Sequence, residues 1–224
     1  MPITLESLFD AHAAASLDKQ VALEQAVGDA DWGLDLDAAE LSFSNGRTFA
    51  VQLLGTESHH SETWLWGWAN GSIGSDAILV AAEALRLYGT EHDIPELTCP
   101  SLPLERAEGH YLALIACGLC GADAYYRAPY EGGAAFLLVH GPDLRQFEDD
   151  TPQHVNTVFL QLISGMECNH RTAFEAYVRY KGYIWSEGGA GIEAVSPRGE
   201  VMRPTFDPLG RLTKLVIEAN PTGR

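Results

Sequence analysis

The sequence predicts an α+β fold, with antiparallel β-meanders at both ends of the chain and a helical middle packed on the sheets. Three observations point to it. Apolar residues alternate with period two between residues 31 and 70 and again after residue 190, whereas the residues between follow the helical period. Turn dipeptides punctuate the alternating segments and cap residues punctuate the helical ones. Strands and helices fall into separate blocks rather than alternating one for one, which argues against βαβ units.

In chain order, Leu5, Leu8, Phe9 and His12, then Leu17, Val21, Leu23 and Val27, recur at helical spacing over residues 4–27, and Gly28 follows as a stop. Trp32, Leu34 and Leu36 then share one side of a strand, with Asp31, Gly33, Asp35 and Asp37 on the other. Leu41 and Phe43 continue the alternation, and Asn45-Gly46 is a strong hairpin signal. Thr48–Leu54 and Thr63–Asn70 complete a four-strand meander, its last turn being the polar run 57–62. A helix near Asp76–Tyr88, capped by Ser75 and stopped by Gly89, leads through the proline-rich residues 95–103 to a second helix near Leu104–Leu119. Phe136–His140 is a short apolar strand. Thr151-Pro152 opens a helix that buries Val155, Val158, Phe159, Leu162 and Ile163, and another helix runs over Arg171–Lys181 to Gly182. Gly191–Val195, Glu200–Phe206 and Leu212–Ala219 are strands, joined by turns at Pro197-Arg198-Gly199 and Pro208-Leu209-Gly210. Residues 1–224 read as one domain, with a split into two subdomains near residue 100 as the alternative.

A chain of 224 residues buries roughly 70% of its unfolded surface and needs no disulfides to hold a core. Its longest apolar run, Tyr111–Leu119, is about half the length of a membrane span. The first residues carry Glu6, Asp10 and Asp18 against Lys19 alone, the wrong pattern for a signal or transit peptide. Cys99, Cys117, Cys120 and Cys168 read as reduced thiols, and a cytoplasmic location is expected.

Fourteen basic residues against 31 acidic ones give a net charge of −17. A field of that sign repels nucleic acid and disfavours anionic membrane. It permits a basic protein partner or simply confers solubility. Residues 1–105 hold 17 acids and 3 bases, a balance of −14, whereas residues 106–224 hold 14 and 11, a balance of −3.

Trp64, Trp66 and Trp68 alternate in the fourth strand, so all three indoles project from one face. They either line an apolar cleft closed by Asn70 or form the core beneath the helices, and core is the commoner use of such a stripe. Trp64, Trp66, Trp68 and Asn70, together with Asp35 and Asp37 on the outer face of the meander, are the six candidate binding residues. Cys117-Gly118-Leu119-Cys120 is a CxxC near the end of an apolar helix, whereas redox pairs sit at a helix start, so it reads as buried thiols. Cys168 and His170 make a poor completion of a zinc site. His59-His60 between Glu57 and Glu62 reads as a hairpin loop rather than a metal site. His110 has no nucleophile or carboxylate at triad spacing. Glu148-Asp149-Asp150 precedes a helix, where its dipole favours acids. Tyr125–Tyr130 is aromatic and basic, but Glu131 and the overall negative charge argue against nucleic acid, and the glycine-rich 188–191 lacks the features of a P-loop. No catalytic residue, metal ligand or cofactor is assigned.

The Trp64–Asn70 block, preceded by Leu54-Gly55-Thr56-Glu57, and the terminal Phe206–Leu212 resemble an uncharacterised bacterial family of unknown function. The resemblance implies no activity and transfers no residue roles; Asp207 and Arg211 read as a local pair across their turn. Three functions are weighed: an acidic protein-binding module, such as an immunity or antitoxin-like inhibitor of a basic partner; an enzyme or small-ligand binder with a cleft beside the tryptophans; and a structural or scaffold domain with no ligand.

Overall fold

The structure is a computed structural model that describes residues 2–74, 76–189 and 191–219. The antiparallel α+β architecture expected from the sequence is present. Helix α1 (Leu5–Val27) opens the chain, and Thr4 caps it by accepting from the Ser7 N–H while the Ser7 hydroxyl accepts from the Thr4 N–H. Four strands follow: β1 (Trp32–Asp35), β2 (Glu40–Phe43), β3 (Thr48–Ser58) and β4 (Thr63–Trp66). Gly46 has φ 85° in the β2–β3 turn, and Asn45 donates to the carbonyls of Ala26 and Val27, tying the hairpin to the end of α1. Helix α2 (Val80–Glu91), helix α3 (Pro95–Thr98), strand β5 (Ser101–Pro103) and helix α4 (Gly109–Leu119) come next.

Two strands then return to the first sheet, β6 (Ala124–Tyr130) and β7 (Gly133–His140). β3 is the spine of this sheet: β2 and β4 pair along one edge of it and β7 along the other. Strands from both sides of residue 100 therefore share one sheet. Helices α5 (Pro152–Gly165) and α6 (His170–Tyr180) lead to a second antiparallel sheet of β8 (Ile184–Gly188), β9 (Gly191–Val195), β10 (Val201–Phe206) and β11 (Leu212–Glu218).

Several elements differ from expectation, each for a reason of packing. The helix near Asp76 starts as a 3₁₀ turn over Asp76–Leu79 and runs on to Glu91; the Ser75 cap lies outside the described residues. Gly89 does not stop it. A Cβ there would come within 2.5 Å of the Leu97 Cβ, so this glycine lets α3 lie against α2. The helix near Leu104 begins instead at Gly109, because residues 101–103 pair with β4 and the Glu57 carboxylate accepts from the Gly109 N–H at 2.8 Å. β6 breaks the period-two pattern and carries Pro129, which is tolerated because the strand is at the sheet edge. β8 adds a strand that the pattern does not signal.

The layers run sheet, α4, α1, α6, second sheet. α4 packs on β3, β6 and β7, α1 packs on α4 and α6, and α6 meets β8. As the middle layer, α1 is buried on opposing sides, which accounts for Ala13, Ala14 and Ala15 all being inaccessible. Gly118 on α4 serves the same close approach, since a Cβ there would fall 2.6 Å from the His12 side chain. The same burial encloses a charged residue. Asp18 on α1 accepts from the Lys181 ammonium at 2.9 Å and hydrogen-bonds His154 Nε2 at 2.6 Å, and Lys181 also meets Asp150 at 2.5 Å. The Lys181 side chain is 2% exposed. Burial alone pushes its ammonium pKa down, but hydrogen bonds to Asp150 and Asp18 outweigh that and leave it above the ordinary lysine value. The Tyr177 hydroxyl lies near Asp18 without a well-formed hydrogen bond.

Removing one partner of a buried ion pair leaves the other uncompensated, at a cost of about 3–5 kcal/mol. Asp18→Ala is expected to lower the unfolding free energy by that order in urea titrations, and Asp18→Leu/Lys181→Met to recover most of the loss. A loss below ~1 kcal/mol for Asp18→Ala would contradict this reading. Because the Lys181 pKa is raised on folding, its contribution is complete below the ordinary lysine pKa of 10.5 and is lost as pH rises beyond it.

Candidate functional site

Trp64 and Trp66 are core residues, each 0% exposed. Their rings meet edge to face at 5.3 Å, and Trp64 also meets Phe136 at 5.5 Å. Trp66 donates its indole N–H to the Glu96 carbonyl at 3.0 Å. Gly55 on the paired strand makes room, because a Cβ there would lie 2.5 Å from the Trp64 ring. Trp68 does not share their face. The strand ends at Trp66, and Gly67–Ala69 form one 3₁₀ turn, since Gly67 is pressed against Leu79 and the Leu53 carbonyl too closely for a side chain. Trp68 is half-buried and lies under the Arg86 guanidinium, 4.8 Å from its ring centroid. Asn70 closes the turn by accepting from the Ser72 N–H at 3.1 Å. The expectation of three indoles on one face is thus corrected to two in the core and one on a turn.

An apolar cleft is present on the same sheet face as Trp64 and Trp66, yet no tryptophan lines it. It measures about 640 Å³, with α2 as one wall, Leu119 and Cys120 at the end of α4 as another, and Gln52 and His140 at its base. Nothing in the sequence pattern signals it, because its walls come from four separate elements.

Asp35 and Asp37 lie on the β1–β2 hairpin, with β3 between it and the strand that carries Trp64 and Trp66. Asp35 accepts from the Asp37 and Ala38 N–H groups and so shapes the turn. Around it, Glu24, Asp29, Asp31, Asp37 and Glu40 are also exposed. Residues 20–46 contain these six acids and no Lys or Arg, and among the described residues none of the six is in an ion pair. β1 is an edge strand of the sheet, and Leu36 at the hairpin tip is 40% exposed. The charge pattern of this region was readable; its placement at a sheet edge was not.

Other side chains hold structural positions. Glu57 is buried at the start of α4, with Arg127 at 3.9 Å and His59 at 4.0 Å. His110 Nδ1 pairs with the Tyr125 hydroxyl at 2.9 Å, and burial lowers its pKa and raises that of the phenol. Asp149 accepts from the Thr151 N–H and Thr151 caps α5, so the acidic run serves the helix start. Asp207 and Arg211 pair at 2.7 Å, with Asp207 also accepting from the Leu209 and Arg211 N–H groups. That turn docks on α6, where His170 accepts from the Leu212 N–H at 3.1 Å. Among the described residues no group of three or more His, Cys, Asp or Glu is placed to hold a metal ion, and no helix is long and apolar enough to cross a membrane. The four cysteines are free.

The family of unknown function DUF6882 matches residues 6–142, more than half of the chain, and the chain belongs to that family. The matched segment includes the Trp64–Asn70 block and ends before the Phe206–Leu212 turn. No curated protein and no solved structure matches the chain.

Burial pushes the Cys117 and Cys120 thiols up to about 11 and the Cys168 thiol to about 12, away from the reactive thiolate. Cys99 is exposed. Native protein at pH 8 is therefore expected to react quickly with Ellman's reagent at one thiol, lost in Cys99→Ser, with the other three labelled only after denaturation. Fast labelling of Cys117 and Cys120 would contradict the assignment of the CxxC to packing.

Proposed function

We propose that this member of the DUF6882 family is a protein-binding module that recognises a basic protein through the β1–β2 hairpin. The observation that carries the reading is the group of six exposed, unpaired carboxylates between Glu24 and Glu40, flanked by Lys19 and Arg47 with no base between. Elsewhere several acids are paired: Glu83 with Arg86, Glu175 with Arg179, Glu187 with Arg171, Glu193 and Glu218 with Arg203. Acids left without local partners on one edge project a field that attracts cations and accelerates encounter with a basic surface. The edge position adds unpaired strand backbone, which a partner strand can extend. Leu36 supplies an apolar contact at the tip.

The concrete form of this reading is an inhibitor of a basic, nucleic-acid-directed protein, of the immunity or antitoxin kind, acting in the cytoplasm. Such a protein needs no catalytic group. The absence of local cations along the hairpin would let its carboxylates stand in for phosphates at the partner's surface.

Affinity capture from the native host at low ionic strength, with the wild type and the variant Asp29→Asn/Asp31→Asn/Asp37→Asn/Glu40→Gln in parallel, tests the proposal. Asp35 is left intact because it shapes the turn. The expected result is a partner rich in Lys and Arg, retained by the wild type, weakened at least tenfold in the variant, and released as salt is raised. Equal retention by the variant, or a partner bound independently of salt, would overturn it.

A further inference from the structure

The cleft between α2 and the sheet has the features of a small-molecule site. Its volume of about 640 Å³ falls within the range of roughly 300–1,000 Å³ typical of such pockets. Val80, Ala84 and Leu85 of α2 and Leu119 of α4 give it an apolar body. None of its lining residues is Asp, Glu, Lys or Arg, although this chain carries 45 such residues among 224. A charged ligand would find no counter-ion there, so charge complementarity selects a neutral one.

The polar atoms of its lining differ in what they have left to offer. Gln52 is spent: its amide N–H donates to the Ala77 carbonyl at 3.0 Å, and its oxygen accepts from the Ala81 N–H at 3.2 Å. The Tyr88 hydroxyl, the His140 imidazole and the Cys120 thiol have no hydrogen-bond partner among the described residues. Tyr88 is held by its ring contact with His92 at 4.2 Å, which fixes the hydroxyl's direction without occupying it. His140 ends β7 opposite Ala50, whose methyl group leaves space above the strand. An apolar body with two or three free donors and acceptors in its lining is the pattern of a pocket that orients one polar group of an otherwise greasy ligand.

We infer that this cleft binds an uncharged, largely apolar small molecule bearing a hydrogen-bonding head group, held by the Tyr88 hydroxyl and the His140 imidazole. The site is independent of the acidic hairpin, since none of the residues from 24 to 40 lines it.

Nile red, a neutral apolar fluorophore with carbonyl and ring acceptors, is the probe. Wild-type protein is expected to bind it saturably at one site, with enhanced and blue-shifted emission. Ala84→Trp and Val80→Trp each place an indole in the cleft from positions exposed on α2, Val80 being 62% exposed, so the fold should survive, as circular dichroism and urea titration check. Both variants are expected to weaken binding at least tenfold, and His140→Ala severalfold, while Leu209→Ala, on the distant β10–β11 turn, leaves it unchanged. No saturable binding by the wild type, or equal binding by both folded tryptophan variants, overturns the inference. So does a wild-type dimer in sedimentation velocity that either tryptophan variant dissociates, because the cleft would then be a contact between copies.

Discussion

The contact on which the arrangement of layers depends is the ion pair between Asp18 and Lys181. A lone carboxylate inside a helical layer would cost several kcal/mol in lost hydration. Asp18 is tolerated because three groups from beyond residue 142 converge on it: Lys181 directly, His154 directly, and Asp150 through Lys181. Tyr183 joins the same network by donating to the Asp150 carbonyl at 2.9 Å. Apolar contacts would hold α1 between α4 and α6 in several related positions, since small alanines slide readily. A buried charge with directional partners admits only one, and this is the role of the network we infer.

The local devices of the fold are legible in the sequence because they are local. Asn45-Gly46, Thr151-Pro152 and the Asp207–Arg211 turn each act within four residues, and each is found where the pattern places it. The features that escape are those decided by a neighbour far along the chain. Gly89 is read as a stop but serves α3; Trp68 is read as strand, but Gly67 is pressed against Leu79; α4 starts late because Glu57 receives its first N–H. β6 hides its period behind Tyr125-Tyr126 and Pro129, since its partner β7 alone fixes its register.

The same division applies to the candidate sites. Acidity along residues 20–46 is a property of composition and is visible at once. The tryptophans announce burial, but their N–H partners are not predictable: Trp66 finds the Glu96 carbonyl, whereas Trp64 has none among the described residues. The cleft and the Asp18 network are invisible, because each gathers single residues from separate elements. A lysine after a helix and an aspartate within one are among the least informative residues until they are seen together.

The middle-layer position of α1 has a consequence for how the chain emerges from the ribosome. Helix α1 is covered by elements made much later: α4 ends at Leu119 and α6 at Tyr180. Lys181 follows Asp18 by 163 residues, and at a synthesis rate of about 5–20 residues per second the interval is roughly 8–33 seconds. During that time the helix holds an unneutralised carboxylate and an uncovered apolar side. The segment matched by the family, residues 6–142, includes Asp18 but none of its partners. On its own that segment would carry Asp18 without Lys181, His154 or Asp150.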